Sequence, residues 1–281
     1  MPPLSKVRSL IETYVGQPAD DLDRDAARGA FEAFLTLLEH GEARSAERDA
    51  GGTWRANAWV KQGILLGFRL GAIVDFSSGA FSFFDKETFP ARQLHAADGV
   101  RVVPGGSTIR RGAYVSSGVV CMPPMYVNVG AYVDEGTMVD SHALVGSCAQ
   151  IGKHVHLSAA AQVGGVLEPI GAVPVVIEDD VFVGGGCGIY EGTIVRERAV
   201  LAAGVILTRS TRVYDLVHET ILRSSAGAAL EIPAGAVVVP GTRAVDSEFG
   251  REHGLSLSAP CIVKYRDAST DASTTLEDAL R

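Results

Sequence analysis

Cysteine is scarce in this sequence, and its four copies stand apart. Cys121, Cys148, Cys187 and Cys261 form no CxxC pair. Neither a thiolate zinc cluster nor a disulfide framework is indicated, and buried reduced thiols in a cytoplasmic protein are expected. Basic runs are missing too. Lys and Arg number 25 against 33 Asp and Glu, a net charge of −8. That balance argues against a nucleic-acid partner or an anionic membrane surface, while a local basic pocket for a phosphorylated ligand stays compatible with it. No stretch approaches the roughly 18 apolar residues of a membrane span. The N-terminal MPPLSKVRSLIETYVGQ lacks the apolar core of a signal peptide. The first hundred residues hold no glycine-rich nucleotide loop, which disfavours a nucleotide-sugar transferase.

What is present falls into three parts. Residues 1–100 read as a small, mostly helical domain. Leu4, Val7, Ile11, Tyr14 and Val15 share one helical face. DRDAARGAFEAFLTLLEHG predicts a second amphipathic helix, with Asp23 or Asp25 at its start and Gly41 just past its end. EARSAERDAGGTWRAN reads as a short hairpin or loop, and AWVKQGILLGFRLG as a third helix ending at Gly71. AIVDFSSGAFSFFDKE is apolar without a helical period, and is expected as extended or loop structure against the helices.

From residue 101 to 213 an aliphatic residue returns every six positions. Counting from Val103 gives Ile109, Val115, Cys121, Val127, Val133, Val139, Val145, Ile151, Leu157 and Val163; the series resumes at Ile177 with Val183, Ile189, Val195, Leu201, Leu207 and Val213. Six is neither the period of a helix nor the alternation of an ordinary strand. It fits a β-helix of hexapeptides, mainly β, in which three hexads close one triangular turn. Each aliphatic side chain then points to the prism axis and stacks on its equivalent in the next coil, about 4.8 Å away. The position four further on is small in many hexads, as at Ala131, Thr137, Ala143, Ala149, Cys187, Thr193, Ala199 and Thr211. Between Val163 and Ile177 the register carries eight extra residues. They predict a loop extruded at a corner, about 164–176, with GGVLEPIG at its start. Residues 214–281 are expected to close the solenoid, with strands in IPAGAVVVPGT and APCIVKYRD and a terminal helix in TTLEDALR.

RVVPGGSTIRRGAYV, MYVNVGAYVDEGTMVDSHALVGSCAQIGKHVHLS and GGVLEP resemble the tetrahydrodipicolinate N-succinyltransferases, acyltransferases of bacterial lysine and diaminopimelate synthesis. GGTWRANAWVKQGILLGFR, FFDK, STRVYD and IPAGAVVV extend the resemblance over nearly the whole chain. The resemblance implies a homotrimer of left-handed β-helices. It also implies a coenzyme A thioester, succinyl-CoA or acetyl-CoA, lying in the groove between neighbours, with active sites at the subunit interfaces. In RVVP it implies that Arg101 binds a dicarboxylate acceptor, and in MVD that Asp140 sits at the reacting amine.

Acyl transfer to an amine needs the amine aimed and relieved of a proton as the new bond forms. It also needs fixed donors for the thioester oxygen. Asp140 follows the inward Val139, so its carboxylate is expected to leave the prism and meet the amine. The amides of VGGGCG, Val183 to Gly188, are candidate oxyanion donors. Arg101 suits a dicarboxylate because a guanidinium grips a carboxylate in two places. Arg212, Arg243 and Lys264 lie where the nucleotide end of coenzyme A is expected. One stretch departs from the family. Where those enzymes read approximately I-G-A-R-S-E-V-V-E-G, this chain reads VGGGCGIYEG, with Gly186 for the arginine and Gly188 for the glutamate. The expectation is a pocket with more space and less charge. It opens a second reading, an acetyl-CoA-using relative in a secondary-metabolite pathway of the tabtoxin type. A zinc enzyme on the same scaffold would need three converging histidines, and His142, His154 and His156 are the candidates. A non-catalytic solenoid of the ice-binding kind would show regular threonine rows, which are lacking here.

Overall fold

The computed structural model describes residues 2–225 and 228–267. The helix expected in TTLEDALR lies outside the described residues. Helices α1 (Leu4–Val15), α2 (Arg24–Glu39) and α3 (Ala58–Leu70) form the N-terminal domain. Asp23 begins α2 by accepting the Ala26 amide at 3.1 Å, which satisfies one of the free first-turn donors. Val7 and Ile11 of α1 are buried, while Leu4 stays exposed at the helix start. Gly63 and Gly67 let α3 close on α2. A Cβ at Gly63 would lie 2.8 Å from the Phe34 ring, and one at Gly67 would run into Phe31. The core around these helices also takes in Val129 and Cys148 from the outer surface of the solenoid.

Two hairpins follow from the helical domain. Strands Ala46–Arg48 and Trp54–Ala56 pair antiparallel, as do Ile73–Asp75 and Phe84–Lys86. The second hairpin meets the helices only at its base, where Lys86 donates to the Gly71 carbonyl at 2.8 Å. Ile73, Phe81, Phe83 and Phe84 are all exposed, because the hairpin reaches past the helical core.

Two-residue strands then wind a left-handed parallel β-helix with three faces. Arg101–Val102, Val120–Cys121, Met138–Val139, His156–Leu157, Phe182–Val183 and Val200–Leu201 stack on the first face. The second face runs from Thr108–Ile109 through Leu144–Val145 and Gly188–Ile189 to Ile206–Leu207. The third runs from Tyr114–Val115 through Tyr132–Val133 and Val176–Ile177 to Glu231–Ile232. Val133 faces Ile151, and Val139 faces Leu157, each one full coil further along the chain. Val127, Val133, Val139, Val145, Ile151, Leu157 and Val163 have no accessible surface. The position four further on is interior as well. It is small at Ala131, Thr137 and Ala149, but Val119, Met125, Val155 and Val181 are accommodated there too. The residue between these two inward positions takes a left-handed backbone at most corners. Glycine supplies it freely at Gly130 and Gly136, and His142 and His154 adopt it with φ of +62° and +53°.

Both ends of the hexad series differ from the count by six. Val102, not Val103, pairs with Cys121, because the turn Pro104 to Ser107 holds one residue more than the other corners. At the far end Val213 leaves the ladder, pairing within Val213–Asp215 to Thr220–Leu222 and Cys261–Tyr265. The coil resumes after this excursion. Ile232 stacks on Val195 and Val238 on Leu201, so this coil spends far more chain than the three hexads used elsewhere. The prism therefore runs on past residue 213 to the strand Ala236–Val239, which Cys261–Tyr265 covers in antiparallel fashion. Residues 164–175 leave the prism between its second and third faces. Lys61 of α3 reaches them, its ammonium donating to the Ala172 carbonyl at 2.6 Å. Among the described residues no helix is long and apolar enough to cross a membrane.

Candidate active site

Arg101 and Asp140 occupy the same prism face. Arg101 opens the first rung, in line with Val120 and Met138; Asp140 follows Val139 two coils further on. At the inter-strand spacing, the two positions are about 10 Å apart along the axis. Both side chains face outward, since Val139 and Cys121 take the inward positions and successive residues alternate. Arg101 is exposed and Asp140 half-buried.

Asp140 turns the corner from the first face to the second. Its Oδ1 accepts the Ser141 amide at 2.7 Å, a local cap of the kind aspartate makes at turns. Its Oδ2 lies 4.0 Å from His156 Nε2 on the next coil. His156 is 13% exposed in its side chain and meets Phe182 edge-on at 5.0 Å, so its ring is held in place from below. The sequence suggests this histidine only as a zinc ligand. The signal that could have found it is its register. It precedes the inward Leu157 as Met138 precedes Val139, which sets it outward on the face that ends in Asp140. His142 and His154 stand on two different corners, and among the described residues no three metal-ligating side chains come together.

The glycine-rich corner does not offer the expected row of oxyanion donors. Gly184, Gly186 and Gly188 donate to Leu201, Ala159 and Val205, and Cys187 to Gly184, because the coil ladder consumes these amides. Among the described residues, Gly185 alone of the four glycines keeps its amide out of such a bond. The two departures from the family also differ from each other. Gly186 has φ +66° and nothing within 4 Å of the place a Cβ would take, so that corner is open. At Gly188 the space is filled. A Cβ there would lie 2.5 Å from Tyr190 Cε2 and 2.9 Å from its hydroxyl. The same ring covers Gly164, where a Cβ would lie 2.8 Å from Tyr190 Cδ1. The charge is lost at Gly188, as expected, but the added space is not there.

Arg212 and Arg243 come together although they are far apart in the chain. With Ile206, Thr211, Ser258 and Pro260 they line a cavity of about 510 Å³ at the far end of the second face. Lys264 does not join them. It sits on the covering strand Cys261–Tyr265 with its ammonium 3.3 Å from Asp267. Cys121 and Cys148 are poor nucleophiles: burial pushes the Cys121 thiol up to about 12 and the Cys148 thiol up to about 11.

Comparison with known proteins agrees with this architecture. The family described as tetrahydrodipicolinate N-succinyltransferase N-terminal matches residues 6–70, and the hexapeptide repeat of succinyl-transferase matches residues 174–209. A 2,3,4,5-tetrahydropyridine-2,6-dicarboxylate N-succinyltransferase of Albidiferax ferrireducens is 46% identical over 258 residues, covering 90% of this chain and 89% of the relative. One of Acinetobacter baylyi is 46% identical over 286 residues, covering 99% of each. A solved Campylobacter jejuni structure, named for a 2,3,4,5-tetrahydropyridine-2-carboxylate N-succinyltransferase, superposes with a TM-score of 0.54 at 16% identity. It shares the fold over 83% of this chain and 62% of its own length. With the curated relatives' identity sustained from the first helix to the covering strands, the chain belongs to the tetrahydrodipicolinate N-succinyltransferase family.

Proposed function

We propose that this protein transfers a succinyl group from succinyl-CoA to the amine of a 2,3,4,5-tetrahydropyridine-2,6-dicarboxylate-derived acceptor, in lysine and diaminopimelate synthesis in the cytoplasm. The observation that carries this reading is the near-complete alignment with relatives of that name at 46% identity. The geometry supplies the chemistry. Arg101 grips a carboxylate of the acceptor and Asp140, about 10 Å further along the face, meets its amine. Asp140 Oδ2, the oxygen not used by the Ser141 amide, accepts the amine proton as nitrogen bonds to the acyl carbon. The carbon–sulfur bond breaks, and the departing sulfur takes up the proton that Asp140 accepted, so coenzyme A leaves as its thiol. His156, 4.0 Å away, steadies the carboxylate. Transfer is direct, and Cys121 and Cys148, with thiols held near 12 and 11, offer no thiolate for an acyl-enzyme at neutral pH. Arg212 and Arg243 bind the phosphates of coenzyme A, and Lys264 lies outside their cavity. A homotrimer with sites between subunits completes this reading, since Asp140 and the phosphate cavity lie on outward surfaces of one prism.

A second donor is favoured by one observation. The open corner at Gly186 carries no cation for a succinyl carboxylate, which would suit an acetyl group. Steady-state kinetics with succinyl-CoA and acetyl-CoA on the same acceptor decides between them. Asp140→Asn should lower kcat by about 10²–10⁴ with either donor. A variant within a factor of a few of wild type would remove Asp140 from the chemistry.

A further inference from the structure

The third face of the prism is opposite the corner that carries Asp140, and it holds a cavity of its own. The cavity measures about 230 Å³ and lies between the hairpin at residues 46–56 and the strands Tyr132–Val133, Gln150–Ile151 and Val176–Ile177. One carboxylate in it is fully spent. Glu178, whose side chain is 5% exposed, pairs with Arg48. It also accepts Trp54 Nε1 at 2.8 Å, Arg196 Nη1 at 2.9 Å and the Glu197 amide at 3.2 Å. These contacts bolt the hairpin to the prism.

Other groups in the cavity are fixed in place but not spent. The Arg44 guanidinium stacks 3.7 Å above the Tyr132 ring, and its Nε donates to Gln150 Oε1 at 3.0 Å. Gln150 is itself buried and tied by its amide to the Cys148 carbonyl at 2.9 Å. Among the described residues the two Nη atoms of Arg44 make no hydrogen bond, so its bidentate edge is held ready by packing on one side and Nε on the other. Across the cavity, Asp134 and Asp179 each give one oxygen to a backbone amide, of Glu135 and of Lys153, both at 2.8 Å, and keep the other. The Glu197 carboxylate makes no hydrogen bond among the described residues. The Lys153 ammonium stands beside these acids but pairs with Glu135 at 3.2 Å. Arg196 is likewise committed, to Glu178 and Glu231. The unspent groups are therefore one guanidinium fork and three carboxylates, with the Trp54 ring beside them.

We propose that this cavity binds a small α-amino acid bearing a second ammonium group. The Arg44 fork takes the α-carboxylate in two parallel bonds. Asp134 and Asp179 face one ammonium and Glu197 the other, and the aliphatic stem crosses Trp54. The volume is below the range of drug-sized sites, which suits an amino acid and excludes a nucleotide. This site does not depend on the acyl-transfer reading, since no residue is shared between them.

The test is titration calorimetry at low ionic strength with three probes: lysine, norleucine, which lacks the second ammonium, and 1,5-diaminopentane, which lacks the carboxylate. Lysine should give saturable heat with Kd on the order of 1 mM or below, and each of the other two should bind at least about tenfold more weakly. Arg44→Met keeps a side chain over Tyr132 and should abolish lysine binding. Should that variant fail to fold, Glu197→Gln on the exposed rim should weaken lysine several-fold by itself. Asp140→Asn should leave lysine binding unchanged. The proposal is overturned if lysine gives no saturable heat, if norleucine or the diamine equals it, if Arg44→Met or Glu197→Gln binds it as wild type does, or if Asp140→Asn alters it.

Discussion

Gly188→Ala asks whether the Tyr190 ring owns the space above the second face. The added methyl would sit 2.5 Å from Tyr190 Cε2 and 3.0 Å from Ile206 Cδ1. Ordinary carbon contacts are about 3.5–4.0 Å, so the overlap with the ring is at least about 1 Å. The tyrosine cannot simply settle lower, because it already rests on Gly164, with 2.8 Å to the place a Cβ would take there. Overpacking of this kind costs about 1–3 kcal/mol. In a Tyr190→Val background the obstruction is gone and the alanine should cost little. The double-mutant cycle should therefore show a coupling of about 1–2 kcal/mol, well above the roughly 0.3–0.5 kcal/mol scatter of independent sites. Urea unfolding of wild type, both single variants and the double variant, with a common m-value, gives the four free energies. Additive effects would refute the claim that Gly188 is a glycine because Tyr190 is a tyrosine. If the coupling appears, the pair Gly188→Glu with Tyr190→Val should fold where Gly188→Glu alone does not, and its kinetics would report what an acid at that position contributes.

Two further perturbations test how the extruded loop and the far end of the prism are fixed. Lys61 is fully buried with the Ala172 carbonyl as its hydrogen-bond acceptor, and desolvation pulls its pKa below the ordinary lysine value. Lys61→Met should leave global stability within about 1 kcal/mol, because the lost bond is offset by the relief of a buried charge, while limited proteolysis cuts residues 164–175 faster; an unchanged cleavage rate would contradict the tether. Burial works against the Asp215 anion, but bonds from the Tyr265 hydroxyl (2.6 Å), His218 and two backbone amides outweigh it and hold the carboxyl at about 2. The folded value lies below the unfolded 3.8, so this contribution is complete above about pH 4 and fades as pH falls toward 2. The stability gap between wild type and Asp215→Asn should narrow by about 2 kcal/mol over that interval, and a constant gap would contradict the assignment.

The prism is legible because its period is enforced by stacking. Each inward aliphatic meets its equivalent one coil away, so a slip of one residue would turn a valine outward. Where that enforcement stops, so does legibility. The turn at Pro104 to Ser107 and the excursion after Leu207 change the residue count without changing the ladder. Val213 satisfies the count by being apolar, yet it is buried under a different strand. In the site, Arg101 and Asp140 can be set on one face by register alone. The Arg212–Arg243 cavity follows from residue type and region, but its closure depends on a hairpin that pairs Arg243 with Leu257, which no local pattern announces. His156 is hidden by chemistry rather than by geometry, since a histidine near two others invites a metal reading before that of a neighbour to Asp140. Tyr190 is hidden because a missing glutamate suggests a void, and only packing reveals a neighbour that has moved in.

Two descriptions of Asp140 look like rivals, a corner aspartate that caps its own turn and a carboxylate that meets an amine. Under the proposed reading they are one device. A free aspartate on an exposed corner samples several rotamers, and ordering it costs free energy each time substrate binds. Here Oδ1 is held by the Ser141 amide at 2.7 Å, which sets the plane of the group, and Oδ2 is left on the His156 side of the same face. If Asp140 is the base proposed above, the cap aims the oxygen that takes the amine proton. This distinguishes three substitutions by pattern and not merely by severity. Asp140→Asn can keep the cap through its amide oxygen while losing the base, so kcat falls with KM nearly unchanged. Asp140→Ser can cap but places no acceptor beyond the corner, and should match it. Asp140→Glu keeps the base and loses the cap, because the longer side chain no longer closes the turn; it should retain the most activity and show the greatest rise in KM. If glutamate proved as inactive as asparagine with an unchanged KM, aim and basicity would not be separable here, and the cap would be structural alone.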